Sequence, residues 1–225
     1  MSQAIGEVLA FGLGVALSPA AVIAVVLMLV APGGRVSASV FVATWALSLG
    51  AVGTVALLLA DGANARQDAA PADWVIAVQI GLALLLLLLA ARQWRKRGDH
   101  EAEPELPVWM QKVDGLTTPR AAGTAVLLAA VKPKNLLLTI GAAVAIAELG
   151  VSASAQAGAL AVFVFLGTLA PGIPFALSLL MRDRGAVILA EVRSWMVREN
   201  TTIVAVLCVI FAGKLLGDAV SGLGS

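Results

Sequence analysis

The sequence predicts an all-α polytopic membrane protein: six transmembrane helices forming two inverted three-helix repeats, with helices 1 and 4 broken. Composition, six long apolar runs and matching interruptions in the first and fourth runs lead to that reading. Of 225 residues, 60% are hydrophobic and 13% charged, with mean hydropathy +0.96. A soluble domain carries about 25% charged residues. Too few polar side chains remain to cover a water-facing surface, so lipid must cover much of it.

A membrane-spanning helix needs about 20 mostly apolar residues. The first run, about 5–31, has no Lys or Arg before Leu9, so it lacks the positive start of a cleavable signal and reads as a permanent span. The second covers 36–60. The third, 74–92, holds the unbroken Leu84 to Leu89 stretch, and the sixth covers 201–220. The fourth, 121–147, is interrupted by Lys132-Pro133-Lys134, and the fifth, 155–181, by Pro171, Gly172 and Pro174. Proline inside a helix removes a hydrogen bond and kinks or breaks it. In a bilayer that is tolerated where neighbouring protein or a water-filled cavity satisfies the freed backbone.

Orientation follows from Lys and Arg in the connections. Arg35 lies in the first. The third holds Arg92, Arg95, Lys96, Arg97, Lys112 and Arg120, and the fifth holds Arg182, Arg184, Arg193 and Arg198. The second has Arg66 beside three aspartates, and the fourth has no basic residue. Odd connections are therefore expected in the cytoplasm and both termini outside. Ten arginines against five lysines, with abundant alanine, point to a GC-rich bacterial genome and hence to a bacterial plasma membrane.

Ala16-Leu17-Ser18-Pro19-Ala20 aligns with Ala130-Val131-Lys132-Pro133-Lys134 at an offset of 114. Val36-Ser37-Ala38-Ser39 aligns with Val151-Ser152-Ala153-Ser154 at 115. Three spans per unit would make the halves oppositely oriented, the arrangement of many secondary transporters with interrupted helices meeting near mid-membrane. The expected division is 1–93 for the first repeat, 94–119 for a cytoplasmic linker, and 120–225 for the second repeat. Trp109 with Lys112, and Trp195 with Arg198, repeat one pattern just before the fourth and sixth spans. An interfacial amphipathic helix would use them so; a loop anchored by its tryptophan is the other reading.

Lys132, Lys134 and Asn135 carry the sharpest functional signal. Lys132 lies about twelve residues into its span, near the bilayer middle at about 1.5 Å per residue. An ionisable residue there costs about 2.5–3.5 kcal/mol on insertion scales, which makes it a functional candidate. Glu7, Glu148 and Asp218 all sit near span ends, so the lysines lack an obvious acidic counter-ion and invite an anionic ligand. The bland reading is that they snorkel to the cytoplasmic interface. Ser18-Pro19 is the partner break. Pro171, Gly172 and Pro174 read as a hinge, as pathway wall, or as a packing kink. Lys214 and Asp218, four apart, are expected to pair on one helix face.

Cys208 is the single cysteine and His100 the single histidine, so no internal disulfide, CxxC pair or imidazole cluster can form. There is no Ser-His-Asp set, no carboxylate pair at depth, no nucleotide-binding glycine loop and no metal-ligand spacing. The expectation is a protein without enzymatic activity, cofactor or metal. Its basic clusters are short and flank the spans, so nucleic acid is not an expected partner.

Six spans in two halves, with Ser18-Pro19 and Lys132-Pro133-Lys134-Asn135, resemble the lysine-exporter (LysE) superfamily. The segment from Pro107-Val108-Trp109 through Asp114-Gly115-Leu116-Thr117-Thr118-Pro119-Arg120 resembles its GAP branch, the glycopeptidolipid- and sulfolipid-addressing proteins. The likeness covers nearly the whole chain. The family's Asn-Pro-Lys pattern stands here as Lys132-Pro133-Lys134, a departure in its first residue. The resemblance implies movement of an anionic or glycosylated envelope lipid, or assistance to a larger lipid exporter. Membrane lipids and that exporter are the implied partners, besides further copies of the chain. Export of an amino acid or other small anionic solute, and a non-transporting scaffold, are the alternatives.

Overall fold

In a computed structural model, the structure describes residues 2–31, 33–64, 73–95, 117–180 and 202–221. Every regular element among them is helical. In chain order they are α1 (Ser2–Ala16), α2 (Pro19–Val30), α3 (Gly34–Asn64), α4 (Asp73–Arg95) and α5 (Thr118–Val126), which widens into a π turn at Leu127–Val131. Then follow α6 (Pro133–Glu148), α7 (Ala153–Leu180) and α8 (Thr202–Ser221). Four helices are long and apolar enough to cross a membrane, or six spans result if each of two bent pairs counts as one. The pairs are α1 with α2, bent by 46°, and α5 with α6, bent by 59°. The described helices are those of a multi-pass membrane protein, with the helix pairs at its first and fourth candidate spans bent at their breaks.

The core lies around α6, where 12 of 16 residues are buried. A helix apolar on every side belongs inside a bundle rather than at its surface. Helix α1 packs against α6 and α7, while α3 packs against α5, α6 and α7. Gly14 permits part of this closeness. A Cβ there would meet the Phe211 ring at 2.5 Å, so only glycine lets α1 come so near α8. Phe11 stacks on Phe211 with centroids 5.6 Å apart. At the far end of α6, Gly150 takes φ +56°, the left-handed conformation that stops a helix and favours glycine.

The interruption expected at Pro171 and Pro174 does not occur; α7 runs continuously through both prolines. The reason is a donor from another helix. Pro171 has no N–H for the carbonyl four residues back, that of Gly167. Trp45 on α3 donates its indole N–H to that oxygen at 3.0 Å, from a fully buried position. The acceptor freed at Pro171 is thereby satisfied within a continuous helix. The tryptophan-bearing segments at Trp109–Lys112 and Trp195–Arg198 lie outside the described residues.

Candidate functional site

The two breaks share one local cause. A residue before proline is pushed from the α region towards extended backbone. Ser18 accordingly has φ −114° and ψ 90°, and Lys132 has φ −60° and ψ 120°. Pro19 and Pro133 then open α2 and α6 near their first positions, where a missing N–H is harmless. Ahead of the second break the chain is wound more widely: the Lys132 N–H reaches the Leu127 carbonyl, five residues back, at 2.9 Å. Such π turns concentrate at functional sites.

Breaking a span leaves carbonyls at the end of α1 without intrahelical donors. Lys134, from the other break, supplies them. Its ammonium donates to the Gly14 carbonyl at 2.7 Å and the Leu17 carbonyl at 3.0 Å. A cation at a helix C-terminus also meets the negative end of the helix dipole. Lys134 is buried, and these carbonyls take the place of an acidic partner. An ammonium has three donors, and two are used.

Asn135 is fully buried and holds its own break closed. Its amide Nδ2 donates to the Leu128 carbonyl of the π turn at 2.8 Å. Thr139 donates its hydroxyl to the Asn135 carbonyl at 2.8 Å. Two buried polar atoms at the breaks stay unpaired, Ser18 Oγ and Asn135 Oδ1. Most buried polar atoms in native proteins have a partner, so these two stand out from the rest of the described fold.

Lys132 differs from Lys134. It is partly exposed, and its side chain makes no hydrogen bond or ion pair among the described residues. Pro133 beside it is exposed. The structure thus brings Ser18, Pro19, Lys134 and Asn135 to one interior locus and leaves Lys132 at its edge. Pro171, Gly172 and Pro174 belong to α7, which contacts both α1 and α2. Lys214 pairs with Asp218 at 2.8 Å, as their spacing predicts, and its ammonium lies 5.2 Å from the centre of the Phe11 ring.

Sequence reasoning missed Trp45, Gln79 and Gln156. Gln79 donates to Glu148 at 2.9 Å and Gln156 to Asp61 at 3.0 Å, linking α4 to α6 and α7 to α3. The available signal was a lone amide or indole within an apolar run, a group that has to find a partner.

The family model of Sap, the sulfolipid-1-addressing protein (SfLAP), matches residues 8–221. The chain belongs to this SfLAP family. No curated protein and no solved structure matches it. The SfLAP match takes in both breaks and every described span except the first few residues of α1.

Proposed function

We propose that this SfLAP protein moves an anionic or glycosylated cell-envelope lipid across the bacterial plasma membrane, or assists a larger exporter that does so. It acts by binding and conformational change, not as an enzyme. The observation that carries the reading is the meeting of two broken spans in the interior. A buried cation without an acidic partner stands there beside two unpaired polar atoms. Lys132 and the third donor of Lys134 bind the anionic group, with the Ser18 hydroxyl donating a neutral hydrogen bond and Asn135 Oδ1 accepting one from a headgroup hydroxyl. Breaks at positions 114 apart fit two inverted repeats and the wider LysE superfamily. In this reading the termini face outward and the arginine-rich connections face the cytoplasm.

One observation favours a second reading. Lys134 is packed against α1 carbonyls, as a non-transporting scaffold of an envelope-lipid assembly would have it. Lys132→Met separates the two. The substitution removes charge but keeps length, and no bond within the described fold is lost. Normal membrane abundance with surface-lipid export lost is expected in a complemented deletion strain. Full export by this variant would remove the anion-binding role and leave the scaffold.

A further inference from the structure

Away from the breaks, α4 and α8 leave an apolar cleft of about 470 Å³ between them. Ligand pockets commonly measure about 300–1,000 Å³. Ala90 and Ala205 are buried at its floor, and Leu87, Trp94, Val206 and Ile210 rise at its rim with much of their surface exposed. Small side chains normally let two membrane helices close together. Here they make room instead.

The chemistry changes abruptly at one end. Trp94 lines the cleft, and Arg95 follows it in the last turn of α4, one turn beyond Ala91, another lining residue. Arg92 stands in the same turn. An apolar slot that ends at a tryptophan, with the exposed Arg95 next along the helix, has the profile of a two-part ligand. Its tail is hydrocarbon and its head is an anion at interfacial depth. Basic pockets between membrane helices bind anionic headgroups in this way.

We infer that the cleft holds one acyl chain of an anionic phospholipid from the leaflet at the Arg95 end, with its phosphate against Arg95. This needs only the membrane setting, not transport, so it stands or falls separately from the reading above.

The test is quenching of Trp94 fluorescence in full-length protein reconstituted with brominated phosphatidylglycerol or brominated phosphatidylcholine. The Trp94 signal is the difference between wild type and Trp94→Phe. At equal mole fraction, the anionic lipid should occupy the cleft with about fivefold preference, the ratio that one basic residue near an anionic surface supplies. Arg95→Gln, at an exposed position, should abolish that preference while the phosphatidylcholine signal persists. Ala205→Phe should plug the floor and reduce quenching by both lipids. Equal quenching by the two lipids in wild type means unselective boundary lipid and overturns the inference. No quenching by either means that something else, such as a second copy of the chain, covers the cleft, and overturns it too. Loss of envelope-lipid export in the Lys132 variant would leave each of these outcomes unchanged.

Discussion

At Ser18-Pro19 and Lys132-Pro133 the helix ends, turns by 46° and 59° and begins again, whereas at Pro171 and Pro174 helix α7 continues from Ala153 to Leu180. The local chemistry of proline is the same in each region: an N–H is missing and a carbonyl four residues back loses its donor. What differs is the donor that the rest of the fold presents. Trp45 offers one indole N–H, fixed in direction, to one carbonyl that stays within its helix. Lys134 offers a point charge with three donors, which serves two carbonyls at the end of a helix that has already stopped. A proline therefore marks where a span can break. At Pro171 a tertiary donor takes up the freed carbonyl and the helix continues.

Removing the Lys134 ammonium should have the largest effect. Lys134→Met leaves two carbonyls without their charged donor, and a hydrogen bond to a charged group contributes about 1.5–3 kcal/mol. Hydrogen bonds between membrane helices average nearer 0.6 kcal/mol, so each of the two bonds is placed at the lower end of the first range, about 1.5 kcal/mol, for a combined loss of about 3 kcal/mol. Denaturant unfolding in detergent should show that loss, together with reduced membrane abundance, while Lys132→Met stays near wild type in both. Two variants of equal stability would mean that Lys134 is not what holds α1 to the second break.

The Trp45 donor comes next. Trp45→Phe keeps an aromatic ring but leaves the Gly167 carbonyl unpaired, at a cost of about 1–3 kcal/mol for a buried acceptor. Pro171→Ala restores a backbone N–H to the same carbonyl. The two changes together should therefore cost less than their sum, with a coupling of at least about 0.5 kcal/mol between them. Strict additivity would break the proposed link between the indole and the proline. The cycle also separates the hydrogen bond from the volume lost with the indole.

The residues that are legible in sequence are those whose consequences are local. Six apolar runs, polar residues just before proline at 18 and 132, and the four-residue spacing of Lys214 and Asp218 each act within a turn or two; among the described residues the structure shows four to six candidate spans, both breaks and the ion pair. The GAP-type family of sulfolipid-addressing proteins was legible from short motifs, and the SfLAP model matches residues 8–221. The destinations of donors were not legible. Trp45 reaches a carbonyl 122 positions away, and Lys134 reaches carbonyls 120 and 117 positions away. No pattern around Pro171 reveals that a tryptophan four helices earlier will hold it. For the same reason two lysines with one sequence signature part company: Lys134 is folded into the protein, and Lys132 stays partly exposed.

The smallest effect is expected at the amide pairs, which sharpen the comparison by contrast. Gln79 is as buried as Lys134, and its donor also crosses between helices, to Glu148 at 2.9 Å. The difference lies in the acceptor. Glu148 is exposed at the end of α6, retains another interaction, and can be hydrated if the amide is withdrawn. The Gly14 carbonyl stands at the interior break in a buried bond, where water is not readily supplied, although the Leu17 carbonyl is only partly buried. Replacing a polar group by an apolar one of similar size is nearly neutral when no buried partner is orphaned, and costly when one is. Gln79→Leu should therefore cost about 0.6 kcal/mol, the average for hydrogen bonds between membrane helices. For a chain of this length that corresponds to a fall of about 1–2 °C in thermal midpoint. The measurement is thermal unfolding of Gln79→Leu and Lys134→Met in the same detergent. If the glutamine variant falls as far as the lysine variant, the hydration of the acceptor does not decide the cost, and the contrast between breaks and span ends fails with it.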